Sequence, residues 1–363
     1  MTEVLAPYMY WAKTRPTTTF DLAASNMLAC AMDDLPGARE AIELTATNDE
    51  GYAQLAEAIA SHYGVTPDRV VHAIGCSGAN FLLMAAHVRA GDHVLMERPG
   101  YDPMAGACRL LGATVNHFDR RADNGFAVDV EAMRRAMTAA TRLVIITSPH
   151  NPSGATLDRD TLVALDAFSA DTGVTVLIDE AYLDITRLLQ RDPERFPRAA
   201  SISARLVSTS SLTKSYGLNG LRCGWAVVPV GMADRLRRVR DVVDGVGSAP
   251  VDRLSTFAFS LLPALAERAR LHVRQNLSTM RAFLDAHPQL RPLVPLDATI
   301  TFPRVEGLVD ASDFAARAAR DFDVTVIPGR FFSSPAHVRL SLAGSAANLS
   351  GGLAQLAAAM QTV

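Results

Sequence analysis

Between about residues 50 and 230 short β-rich apolar runs alternate with helical stretches, and no other feature narrows the fold as much. The runs are 93–97 (HVLME), 114–118 (TVNHF), 142–148 (RLVIITS), 174–179 (VTVLID), 206–210 (LVSTS) and 223–228 (CGWAVV). Helix-like segments such as 51–62 and 158–171 lie between them, and Leu157-Asp158-Arg159-Asp160 supplies a cap for the second. Such alternation predicts an α/β fold, a largely parallel central sheet with helices on both faces. Ligands of these sheets sit beyond the carboxyl ends of the strands, which is where the chemically distinctive residues fall.

Past Gly245 the pattern changes. Apolar positions recur at helical spacing over 251–283, and the rest reads as a smaller α+β unit with strand-like runs at 299–304, 324–328 and 338–342 and helices near 312–321 and from Asn348. The first 40 residues show no strong pattern and are expected to pack on that unit. The chain has 363 residues, beyond the roughly 250–300 at which single cores stop growing. Two domains follow: a large one, 45–245, and a small one made of 1–44 and 246–363.

Composition removes several classes. Hydrophobic residues at 49% against 20% charged provide for a sizeable core rather than disorder. The net charge is −3, and Arg235-Leu236-Arg237-Arg238-Val239-Arg240, the densest basic patch, reads as a solvated helix face. Nucleic acid is therefore not an expected partner. Four scattered cysteines (Cys30, Cys76, Cys108, Cys223) and dispersed histidines lack metal-ligand spacing, so no metal is expected. Neither a basic leader nor an 18-residue apolar run is visible, so no membrane span is expected and the cytoplasm with reduced thiols is the default.

The densest chemical signal is Ser211-Leu212-Thr213-Lys214, followed by a glycine-rich turn and Arg222. A lysine fixed at a strand end suits Schiff-base formation. Hydroxyls (the run is Ser208, Thr209, Ser210, Ser211) and a guanidinium beside it suit a phosphate. Together they suggest pyridoxal phosphate; a solvated surface lysine is the plainer reading of the segment alone. Asp179 ends an apolar run and opens Asp179-Glu180-Ala181-Tyr182. A carboxylate there calls for a cation, such as a pyridinium nitrogen, or else caps the next helix.

Asn151, in Ser148-Pro149-His150-Asn151-Pro152-Ser153-Gly154, is either a turn residue or an amide donor to a ring oxygen, a task Tyr182 could share. Gly75-Cys76-Ser77-Gly78-Ala79 opens a helix whose first amides, with the Ser77 hydroxyl, would hold a phosphate; a glycine-rich cap is the alternative. Tyr101 is either a stacking ring or a core aromatic. Arg339, inside the apolar run Val338-Arg339-Leu340-Ser341-Leu342, needs an anion: a substrate carboxylate or an internal ion pair.

In this order, these segments resemble the class I/II aminotransferases, the pyridoxal-phosphate-dependent enzymes of fold type I. Further markers are Gly91-Asp92-His93-Val94, Pro99-Gly100-Tyr101, Gly220-Leu221-Arg222-Cys223-Gly224-Trp225 and Pro328-Gly329-Arg330-Phe331. The resemblance implies that Lys214 forms the aldimine and then moves the α-proton, that Asp179 pairs with the ring nitrogen, and that Asn151 and Tyr182 bond the ring oxygen. It further implies that Tyr101 stacks on the ring, that Cys76, Ser77, Ser211 and Arg222 hold the phosphate, and that Arg339, with Asn151, holds the substrate carboxylate. A homodimer, and transfer of an amino group from an amino acid to a 2-oxo acid, are also implied. The same carbanion would equally serve a lyase, cyclase or synthase.

The chain departs from the family pattern at several points. Ala46 and Thr47 stand where the family often places a tyrosine that reaches the neighbour's phosphate; Asn48, Asp49 and Tyr52 are the possible substitutes. Leu55-Ala56 replaces leucine-arginine, and Asn219 a smaller residue or proline. No arginine matches the one for dicarboxylates, and Asp241 and Asp244 lie in its neighbourhood, so a neutral or basic side chain is the expected preference. Phe20-Asp21-Leu22-Ala23-Ala24-Ser25-Asn26 resembles aminotransferase-like enzymes of the capreomycidine synthase kind.

Overall fold

The computed structural model describes residues 5–46 and 48–361; Thr47, one of the two positions at the expected tyrosine, lies outside them. Its centre is a seven-stranded sheet: β1 (Val70–Ile74), β2 (His93–Arg98), β3 (Thr114–Asp119), β4 (Thr141–Thr147), β5 (Thr175–Asp179), β6 (Leu206–Ser211) and β7 (Cys223–Val227). The order is β1-β7-β6-β5-β4-β2-β3, and only the β7 pairings, with β1 and β6, are antiparallel. β7 can run backwards because residues 212–222 reverse the chain at one end of the sheet instead of crossing over its face.

Both faces of this sheet are apolar, as helices on each side require. Leu143, Ile145, Leu177 and Val207 pack into one cluster with Leu82, Leu83 and Met84 of helix Gly75–His87. Their neighbours Val144, Ile146, Val176, Ile178 and Leu206 pack into another with Leu162, Leu165 and Phe168 of helix Arg159–Thr172. Each such side chain contributes roughly 1.5–3 kcal/mol relative to exposure. The second helix begins as its sequence predicts, with the Asp158 carboxylate accepting from the Thr161 N–H.

Three features differ from the sequence reading. Strand β1 was not expected. The helical stretch at 251–283 is two helices, Ala249–Ser260 and Leu262–Ala286, because Pro263 lacks an N–H and its ring crowds the preceding turn. The N-terminal segment does not pack on the smaller unit alone. Phe20–Asp21 does pair in parallel with Val324–Thr325, but Leu35 and Ala38 join a cluster with Leu55, Ile59 and Trp225, and the Tyr8 N–H bonds Asp102 at 2.9 Å. A further cluster gathers Val273, Leu277 and Met280 with Phe314, Val338, Leu340 and Leu353. Beside it Val338–Ser341 pairs antiparallel with Ile300–Thr301 and Ile327–Pro328.

Candidate active site

One end of the sheet collects the residues of interest. Ser77 follows β1, Tyr101 follows β2, Asn151 follows β4, Asp179 ends β5, Ser211 ends β6 and Lys214 follows it; Arg222 immediately precedes the antiparallel β7. Together with Cys76, Tyr182 and Arg339 they line one cavity of about 440 Å³. These ten residues therefore reach the same space.

Asp179 forms part of the cavity wall and is 9% exposed. Its Oδ2 accepts from Asn80 Nδ2 at 2.7 Å, and its Oδ1 from the Ala181 N–H at 3.0 Å and the Cys76 thiol at 3.4 Å. Burial raises its pKa; the Ala181, Asn80 and Cys76 donors and the Lys214 charge pull the other way without cancelling it. Such a carboxylate favours any cation set against it. Asn80 is itself held, since its Oδ1 accepts from Thr209 at 2.6 Å.

Of the hydroxyl run after residue 207, only Ser211 lines the cavity. Ser208 accepts from the Ala200 N–H at 2.9 Å, Thr209 serves Asn80, and Ser210 donates to the Glu180 carbonyl at 3.2 Å. Lys214 sits in the single helical turn Thr213–Tyr216. Its Nζ donates to Asn26 Oδ1 at 2.7 Å and Ser25 Oγ at 3.1 Å, and lies 5.5 Å from the Tyr182 ring centre. The Tyr182 hydroxyl is 2.8 Å from Ser25 Oγ. Burial works to raise the Tyr182 phenol, yet Lys214, Arg339 and the Ser25 bond outweigh it, and the pKa falls below the ordinary value.

The corner between Gly75 and Arg222 is built by backbone. Arg222 has φ of +52° and Gly75 +68°, both left-handed, and the Gly75 N–H bonds the Arg222 carbonyl at 2.6 Å. A Cβ on Gly75 would collide with the Arg222 guanidinium, and one on Gly224 with the Gly75 backbone. Glycine at 75 thus lets the guanidinium lie against the start of helix Gly75–His87, whose first amides have no partner within the helix.

Arg339 is 1% exposed. Its Nη1 donates to Asn151 Oδ1 at 2.7 Å and its Nη2 to Tyr8 Oη and the Ala23 carbonyl, both at 3.1 Å, while its buried Nε has no partner among the described residues. Asn151 is braced from behind. Its N–H bonds Thr147 Oγ1 at 2.9 Å; that hydroxyl donates to Glu97 at 2.5 Å, and Glu97 pairs with Arg120 at 2.7 Å. Both members of this pair have almost no exposed side chain.

Sequence reasoning passed over several cavity residues: Tyr8, Trp11 and Arg15 of the N-terminal segment, and Ser25 and Asn26. Only the latter two carried a signal, as part of the 20–26 motif. Arg15 is paired with Asp21 at 2.6 Å. Asp241 and Asp244 do not line the cavity; Asp241 bonds Arg238 at 2.6 Å on the surface, and Asp244 lies beside a separate cavity. Asn219 does line it. Of the possible tyrosine substitutes, Asn48 donates to Asp252 at 2.6 Å, Tyr52 lies under the Arg253 guanidinium, and Asp49 is exposed. Among the described residues there is no cluster fit to hold a metal ion and no helix long and apolar enough to cross a membrane.

The family described as aminotransferase class I and II matches residues 23–356. Capreomycidine synthase of Streptomyces vinaceus is 31% identical over 314 residues, 86% of this chain and 80% of that protein. The arginine–pyruvate transaminase AruH of Pseudomonas aeruginosa is 30% identical over 292 residues, covering 78% and 72%. A solved PLP-dependent aminotransferase from Streptococcus suis superposes with a TM-score of 0.91 at 23% identity, over 99% of this chain and 98% of that one. That last likeness is one of fold.

Proposed function

Because the chain belongs to the class I and II aminotransferase family and has its fold-type-I architecture, we propose that it is a pyridoxal-phosphate-dependent aminotransferase acting on an amino acid and a 2-oxo acid. One observation carries the reading: an amine (Lys214), a buried carboxylate (Asp179) and a buried guanidinium (Arg339) face one cavity. The residues fit the cofactor. Asp179 would meet the ring nitrogen, Asn151 and Tyr182 the ring oxygen, and Tyr101 the ring face. Ser77, Ser211, Arg222 and the Cys76 and Ser77 amides would hold the phosphate. When bound, pyridoxal phosphate supplies an aldehyde and an electron-drawing ring.

The chain supplies the remainder. Arg339 takes the substrate carboxylate, with a buried Nε still free to donate and Asn151 fixing the plane of its fork. That grip turns the α-hydrogen toward Lys214 Nζ, which accepts it as a base. With the cofactor bound, Asp179 would stabilise a positive charge at the ring nitrogen, its carboxylate being held by Asn80, the Ala181 N–H and Cys76. A homodimer and a cytoplasmic location complete the proposal.

A second reading is a lyase, cyclase or synthase using the same proton abstraction. It is supported by the 20–26 segment, which places Ser25 and Asn26 on the lysine amine, and by the similarity to capreomycidine synthase. Holoenzyme given an amino donor without any oxo acid decides between them. Transamination predicts stoichiometric pyridoxamine phosphate by mass spectrometry; its absence alongside consumed amino acid contradicts it.

A further inference from the structure

The lysine amine is gripped by side chains nearly two hundred residues away in sequence. Asn26 Oδ1 accepts from Nζ at 2.7 Å across a separation of 188 residues, and Ser25 Oγ at 3.1 Å. Ser25 is buried and also touches the Tyr182 hydroxyl at 2.8 Å, so amine and phenol share one bridging oxygen. Asn26 is exposed, so its bond to the amine is not needed to fill the core. The segment is pinned to the strand that carries Arg339. The Ser341 N–H bonds the Leu22 carbonyl at 2.8 Å, Arg339 bonds the Ala23 carbonyl at 3.1 Å, and the Leu28 N–H bonds the Ala343 carbonyl at 3.1 Å.

Both contacts are donated by Nζ, so what these two oxygens can receive is an amine that carries N–H donors. A lysine bound through its nitrogen to a carbonyl carbon has given up N–H donors; one that has been released regains them and swings on a four-carbon stem. We infer that Ser25 and Asn26 are positioning residues which receive the Lys214 amine when an amino-group ligand displaces it from the cofactor. They hold it within reach of the α-carbon, next to the strand whose arginine grips the ligand's carboxylate. The inference rests on the proposal that Lys214 carries the cofactor.

Aminooxyacetate is the probe, because it carries an amine for the exchange and a carboxylate for Arg339. Its nitrogen takes over the carbon that Nζ gives up, and its two amine protons pass to Nζ, so the lysine is freed without oxidation or reduction. Stopped-flow loss of the visible cofactor band in the holoenzyme reads the exchange. Relative to wild type, Asn26→Ala and Ser25→Ala should each slow it about tenfold, the effect of one hydrogen bond. Asn26→Asp, which keeps an acceptor oxygen at an exposed position, should recover to within about threefold. Cofactor content should stay unchanged throughout. Alanine variants that exchange at the wild-type rate, or an Asn26→Asp variant no better than Asn26→Ala, overturn the inference. Borohydride reduction of the same samples separates the two claims: label on another side chain refutes the cofactor assignment, whereas label on Lys214 with unaltered exchange refutes only the positioning role.

Discussion

Asn80 donates to Asp179 Oδ2 at 2.7 Å while its own amide oxygen accepts from Thr209, so the carboxylate at the end of β5 is aimed by a residue one layer away. Asp179→Asn, which removes the charge and keeps the shape, is expected to lower turnover about 100- to 1000-fold, the range for losing one preorganised electrostatic partner. Asn80→Ala leaves Thr209 and Asp179 each short of a bond and is expected to cost about 1–3 kcal/mol of transition-state stabilisation. Steady-state kinetics on cofactor-saturated variants checks both.

The Glu97–Arg120 pair is buried, and through Thr147 it braces Asn151. Arg120→Met leaves Glu97 uncompensated, and loss of one partner from such a pair costs about 3–5 kcal/mol. Urea unfolding should show that loss. The amino-acid KM should rise as Asn151 loosens, while the double variant Glu97→Leu/Arg120→Met regains only part of the stability, because the Thr147 N–H and hydroxyl lose Glu97 as their acceptor.

The corner proposed to hold the phosphate depends on a missing side chain. Gly75→Ala would drive a methyl into the Arg222 guanidinium and force a φ of +68° on a residue that resists it. Cofactor affinity measured by spectral titration should fall at least about tenfold, the equivalent of roughly 1.4 kcal/mol. The overall fold should be retained by circular dichroism.

Glu180, in the strand-end motif, makes stability depend on pH. Burial pushes its carboxyl up to about 7, only partly offset by the Ala199 N–H, Arg198 and Tyr63. Between the ordinary glutamate value and about 7 the folded chain keeps a proton that the unfolded chain releases. The contribution is therefore complete below that window and lost as pH rises through it, at up to about 1.4 kcal/mol per unit. Glu180→Gln, which stays neutral, should lose that dependence; chemical denaturation of both proteins at about pH 5 and about pH 7 measures the difference.

The inner strands were legible because a strand covered on both faces writes a continuous apolar run, as in Leu143 to Ile146. Val70–Ile74 was not: its pairing is antiparallel, its burial fades toward Ile74, and His72 interrupts the run. The runs at 299–304 and 324–328 did mark the strands beside Arg339, but only Ile300–Thr301 and Ile327–Pro328 of them pair with Val338–Ser341, a limit set by the pairing partner rather than by local propensity. The site divides in the same manner. Lys214, Asp179, Asn151 and Arg222 lie at or beside strand ends and carry their geometry in local spacing. Asn26 and Asn80 reach Lys214 and Asp179 only after folding, across 188 and 99 residues, and Arg15 enters the cavity on a helix-to-loop segment with no motif at all.

Borohydride reduction of the holoenzyme, proteolysis and mass spectrometry of the labelled peptide address the central claim most directly. The account predicts one phosphopyridoxyl group on the peptide containing Lys214, and none in Lys214→Ala. Label on any other lysine, or equal label in that variant, would contradict it.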